Sequence, residues 1–135
     1  MTKSIISSIQ QIALMQLANN GDRMTLCRLA PLNYAEANQS VTQSTSGVSM
    51  GPKTLTKSLG LGTYSAQAGD TSGRKVSVMS QSSITFSETG NVNHVAILDT
   101  VNSALLLVTT VTSQAVTAGN TGITSMFDFE VRDPI

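Results

Sequence analysis

Asp128 and Glu130 are the pair of side chains in this sequence best spaced for acid–base work. Two positions apart on a strand, their carboxylates fall on one face about 7 Å from each other, at a rise of about 3.4 Å per residue. Carboxyl pairs of this kind serve glycoside hydrolysis, where one protonates the leaving oxygen and the other attacks or activates water. Arg132 follows on the same face, however, and alternating Asp, Glu and Arg is what a solvated strand edge produces. His94 is the only histidine, so no histidine metal cluster can form, and no nucleophile elbow accompanies it for a triad. The run Gly69-Asp-Thr-Ser-Gly-Arg-Lys75 has the glycines and lysine of a phosphate loop. Three residues separate its glycines where four are required, and strand-like alternation follows where a helix must. Cys27 stands alone, which excludes an internal disulfide or a cysteine metal cluster. It is expected to be a small buried hydrophobe on a strand. No calcium loop of the DxDxDG type occurs. These residues predict no catalytic, cofactor-binding or metal site, and a protein that is not an enzyme.

Composition supports the same expectation. The 135 residues carry eight basic and eight acidic side chains, a formal net charge of zero, and only 12% of residues are charged. Phosphate-backbone binding needs clustered Lys and Arg, so no nucleic-acid partner is expected. Eighteen Ser, 17 Thr, eight Asn and eight Gln supply the polarity instead. Uncharged polar groups cost less to desolvate than ions, which suits a protein interface. Two Tyr, three Phe and no Trp leave little for a sugar- or base-stacking platform. No apolar run is long enough to cross a bilayer and the N-terminus lacks an h-region, so no membrane partner and assembly in a cytosol are expected.

The positioning elements follow from periodicity. The centre of the core is expected in His94–Thr112, where the apolar runs Val95–Leu98 and Ala104–Val108 flank Asp99-Thr-Val-Asn102 as a hairpin. The second run is apolar on both faces, which predicts a strand inside a packed sheet with Ile97 and Leu106 fully buried. Ser4–Asn19 reads as a helix: Ile5, Ile6, Ile9, Ile12, Ala13 and Leu17 share an arc of about 140°, and Asn19-Asn-Gly21 ends it. Met24–Ala30 is a first strand stopped by Pro31, and Tyr34–Asn38 a helical turn. Strands follow at Tyr64–Gln67, Arg74–Ser80, Ser83–Glu88 and Ile123–Arg132, with turns between them. The expected fold is mainly β, an antiparallel β-sandwich or barrel-like domain with one N-terminal α-helix. Its organisation is a helix or arm at 1–21 and a single β-domain at 22–135, with a long, weakly patterned loop at 39–62. Apolar residues left over by this scheme mark the expected partner interface: Leu14 and Met15 beside the helix stripe, and Val41, Val48, Met50 and Leu55 in the loop.

Gly69-Asp-Thr-Ser-Gly-Arg-Lys-Val-Ser-Val78, Asn93-His-Val-Ala-Ile-Leu-Asp99, Leu105-Leu-Leu-Val-Thr-Thr110, Gly119-Asn-Thr121 and Phe129-Glu-Val-Arg-Asp-Pro134 occur in that order. Together they resemble small structural proteins encoded among the head and tail genes of tailed bacteriophages, over residues 69–134, with an echo in Tyr34-Ala-Glu-Ala37. The resemblance implies a non-enzymatic virion component present in many copies and assembled in the host cytoplasm. The expected function is capsid decoration (a cement protein), with the major capsid protein or other virion proteins as partners and a homo-oligomer of three or more subunits. A tail or head–tail junction part, and a carbohydrate-binding or adhesin module, are the alternatives.

Overall fold

The computed structural model describes residues 7–41, 46–55, 64–68 and 74–131, and of 7–13, 64–68, 74, 130 and 131 the backbone alone. The fold is mainly β, with antiparallel sheets and an early helix. By contact the chain divides into two compact units. One comprises Met1–Asn20, Thr56–Ser80 and Ser125–Ile135; the other comprises Gly21–Leu55 and Gln81–Thr124. The helix, expected as an arm beside one β-domain, thus groups with the middle and last segments of the chain.

In the first unit, helix α1 (Ser7–Asn20) packs against a three-stranded antiparallel sheet. The sheet is formed by β3 (Tyr64–Ala68), β4 (Arg74–Val78) and β9 (Phe127–Val131), with β4 in the middle. Lys75, Val76, Ser77 and Val78 are all buried there. The helix buries Leu14, Leu17 and Ala18, the i, i+3, i+4 ridge. Leu14 is therefore not left over from the helix stripe as expected. The stripe was drawn from the isoleucines of the first turns, and it fixes the wrong angle for the last one.

The second unit is built on a four-stranded sheet in the order β2-β1-β6-β7. Its strands are β1 (Arg23–Cys27), β2 (Ser49–Thr54), β6 (Gly90–Asp99) and β7 (Ala104–Val116). One face carries Cys27, Ala96 and Leu98, which pack with Val48 and with Ala37 of helix α2 (Tyr34–Asn38); Tyr34, Leu105 and Val108 close the cluster. Asn33 caps α2 through its side-chain oxygen, which accepts from the Glu36 N–H at 2.9 Å. On the other face Met24 and Leu26 register with Ile97 and Val95. A ribbon of β5 (Gln81–Thr85) and β8 (Thr121–Thr124) covers this side, with the Thr124 hydroxyl 3.8 Å from Met24 Sδ. Phe86, which follows β5, needs glycines around it. A methyl on Gly122 would come within 2.7 Å of its ring, and one on Gly51 within 3.2 Å.

The β6–β7 turn is held by carboxylates. Buried Asp99 accepts from the Val101 and Asn102 N–H groups at 3.0 and 3.1 Å and from Asn102 Nδ2 at 2.6 Å. Asp22, just before β1, accepts from the Thr100 N–H at 2.9 Å and its hydroxyl at 2.5 Å.

Three expectations need correction. Ser49–Thr54 lies inside the segment expected as a loop yet forms β2, because its order comes from a backbone ladder with β1 and not from side-chain alternation. Ile123–Arg132 is not one strand: Thr121–Thr124 pairs with β5, and Phe127–Val131 pairs with β4 in the other unit. Leu106 is only half-buried, since β7 is the last strand of its sheet. The register steps from Leu98↔Leu105 to Ile97↔Leu107, which makes Leu106 the extra residue of a β-bulge. Ile97, by contrast, is fully buried on central β6.

Ile97→Ala should therefore cost about 2–5 kcal/mol, and Leu106→Ala less than half of that. Urea denaturation of the two variants side by side measures the difference. Equal losses would put Leu106 back in the core.

Candidate functional site

The two outer strands of the four-stranded sheet are treated differently, and that difference defines the candidate site. An open strand edge exposes unpaired N–H and C=O groups and is a template for another chain unless it is blocked. The β2 edge is blocked along its length. Its Ser49 N–H donates to the Gln39 carbonyl at 3.0 Å and its Ser49 carbonyl accepts from the Val41 N–H at 3.3 Å. The Met50 carbonyl accepts from the Ser87 N–H at 2.8 Å. Pro52 offers no donor and Lys53 adds a charge, both common ways of closing an edge.

The edge of β7 has no such cover among the described residues. No Lys, Arg, Asp, Glu or Pro occurs between Ala104 and Val116, and no charged residue at all from Thr100 to Phe127. Leu105, Leu106, Leu107 and Val108 are half-buried; Val111 is exposed, as is Val101 in the adjoining turn at 74%. Two irregularities shape the edge. The bulge at Leu106 is one, and the other lies where Val92↔Gln114 gives way to His94↔Thr110. Between them Leu107–Thr110 keeps a regular register, so an added strand would meet a short template with a fixed position. Elsewhere in this unit Leu29, Leu32 and Ile123 are also exposed, Leu32 at 84%.

The six residues expected at the interface lie elsewhere. Leu14, Val48, Met50 and Leu55 are buried in the chain itself, which removes them from any free surface; Met15 and Val41 are half-buried. Single apolar residues in a polar segment looked surplus, but β2 and the end of α1 use them as core. The signal that points to β7 was present in the sequence as the long uncharged run. Apolar residues on both faces of Ala104–Val108 point to depth in a sheet, but absence of charge fits a covered edge equally well.

The side chains singled out for chemistry have structural partners. Asp128 on β9 accepts from Lys75 Nζ at 3.0 Å and from the Ser77 hydroxyl at 2.6 Å, both on β4. The hydrogen bonds from Ser77 and Lys75 hold its carboxyl below the usual carboxylate range. The side chain of Glu130, Arg132, and Gly69–Gly73 of the loop-like run lie outside the described residues. Cys27 and His94 are register partners across β1 and β6. Burial pushes the Cys27 thiol up to about 12, with the Thr25 contact a smaller opposing effect. Its Sγ lies 3.7 Å from the Thr25 carbonyl, as a donor to it. A thiol so placed stays protonated near neutrality and is a poor nucleophile. His94 Nδ1 is 2.6 Å from Asn93 Oδ1, an arrangement in which the ring nitrogen donates.

No protein family, curated protein or solved structure matches the chain.

Two outcomes follow. Because the Asp128 carboxyl is lowered in the folded state, its contribution to stability is present above the ordinary carboxylate value of about 3.9 and is lost as pH falls through the lower, folded value. Asp128→Asn should therefore narrow the difference in urea midpoint between neutral and acid pH; an unchanged difference would separate Asp128 from the ion pair. Cys27 should react with an aromatic disulfide reagent at least about a hundredfold more slowly in the native chain than in urea, since reaction waits for opening. Comparable rates would show the thiol to be accessible.

Proposed function

We propose that this chain is a non-enzymatic structural protein of a tailed-bacteriophage virion, acting as a capsid decoration protein that binds the assembled major capsid shell. The observation that carries the reading is the contrast between the two edges of one sheet, β2 closed and β7 open and uncharged. An open edge is suited to strand addition, in which main-chain hydrogen bonds give affinity and alternate side chains give selectivity. Leu105–Val108 supply apolar contact beside it, and the hydroxyls of Thr109, Thr110 and Thr112 supply polar groups that are cheap to desolvate. The resemblance of residues 69–134 to virion structural proteins points the same way. Repetition over a shell lets modest contacts add through avidity, and association about a three-fold or higher axis matches the symmetry of such sites.

The test has two arms. Purified particles of the phage that encodes the chain should contain it in many copies by quantitative mass spectrometry, and cryo-EM should place it on the capsid surface. Density in the tail or neck instead would transfer the reading to a head–tail component. Recombinant chain should co-sediment with shells, whereas Thr110→Lys combined with Val111→Lys, which charges the exposed part of β7, should keep its melting temperature and bind at least about tenfold more weakly. A double variant that binds as well as the parent would remove β7 from the interface.

A further inference from the structure

A sheet with one closed and one open edge accepts a single further strand. The four-stranded sheet is in this state: β2 is blocked, and β7 is open and uncharged among the described residues. From this asymmetry we infer that the free chain pairs β7 with β7 of a second copy, as an antiparallel two-fold dimer. The inference rests on the reading of β7 as an open edge, and names what covers that edge before any shell is met. On a shell the same edge is given to the capsid, so the two-fold pair belongs to the chain before it binds. Charge admits a second copy as the occupant. No charged side chain occurs from Thr100 to Phe127, so two copies meet edge to edge without like-charge repulsion. Thr110 through Ala115 are all exposed, which leaves the far half of the strand accessible. Because β2 is closed, pairing through β7 leaves the sheet no edge from which to grow, and association stops at two.

The irregularities of β7 fix the register. Opposite residues in an antiparallel pair are either bonded to each other or both turned away. A two-fold between identical strands therefore passes through a residue that faces its own copy. The bulge at Leu106 and the irregularity over 111–113 interrupt β7 on either side of its regular stretch, 107–110. Leu106 and Thr112, the middle of the second interruption, lie three positions before and after Thr109. A two-fold at Thr109 thus sets the bulge of one copy against the irregularity of the other, and 108–110 against itself. It pairs Thr109 with Thr109, hydroxyls that hydrogen-bond across strands, and Leu107 with Val111, which is exposed in the single chain. A two-fold at Val108 would instead oppose Leu106 to Thr110 and leave the bulge facing regular strand.

The test begins with sedimentation velocity of the full chain from low micromolar to submillimolar concentration, since a contact of a few residue pairs is smaller than a standard interface. The mass should rise from 14.1 kDa to twice that and go no further. Thr110→Lys combined with Val111→Lys should hold the chain at the monomer with its melting temperature kept. Cross-linking then reads the register. Thr109→Cys brings two thiols face to face within the Cα separation a disulfide spans, about 4.4–6.8 Å, and should give a covalent dimer on mild oxidation. Thr112→Cys sets them about 20 Å apart along the strands and should cross-link at least about tenfold more slowly. A monomer at every concentration, growth past the dimer, dimerisation by the lysine variant, or equal rates for the two cysteine variants would each overturn the inference. Dimerisation in this register by a chain that ignores shells would support it and sink the proposed function. A strict monomer that binds shells through β7 would do the reverse.

Discussion

Everything in the larger unit depends on β6 being covered on both edges and both faces. It pairs with β7 over most of its length and with β1 from His94 to Leu98, and from Val95 to Asp99 every residue is buried. Such a strand has one acceptable register. A slip of a single residue would carry Val95 and Ile97 to the α2 side and Ala96 and Leu98 to the ribbon side. Ala96 is small where α2 crosses, and Ile97 is large where Met24 faces it, so the two faces are not interchangeable. The Asp99 turn and the Asp22–Thr100 bonds pin the end of the strand, and β1 inherits its alignment from there.

The sequence made the strands with strong two-residue alternation or solid apolar runs easy to place, the β6–β7 hairpin and β4, and it also marked the short turn of α2. It concealed two things. Ser49–Thr54 contains Gly51 and Pro52, residues that argue against a strand, and its order comes from main-chain partners at Arg23–Cys27 on one side and Gln39, Val41 and Ser87 on the other. Side-chain pattern holds no record of such bonds. The junction at Ser125-Met126 was equally silent, because alternation predicts a strand but not which sheet it joins, and β8 and β9 belong to different units. Three of the residues expected at a partner interface turn out to be core for a related reason. Val48, Met50 and Leu55 look surplus only while β2 is taken for a loop.

With so few charges in the chain, their use is informative. Asp22 and Asp128 accept hydrogen bonds that tie separate segments together, Asp99 fastens its own turn, and Lys75 is buried against Asp128. The carboxylates act as internal fasteners and not as solubilising groups. The stretch from Thr100 to Phe127 carries no charge, so the open strand edge within it meets little electrostatic resistance.

The interleaving of the two units bears on how the chain is made. Gly21–Leu55 and Gln81–Thr124 are all that the four-stranded sheet and its ribbon require, whereas the unit of α1 and β4 takes in Ser125–Ile135 as well. Lys75 and Asp128 lie 53 positions apart, so on a ribosome the lysine emerges well before the carboxylate that neutralises it. During that interval β4 has β3 on one side and an empty place on the other, and closing it requires a long intervening loop to be bridged. The larger unit thus has all its strands once Thr124 has emerged, whereas the sheet around β4 stays unfinished until β9 follows.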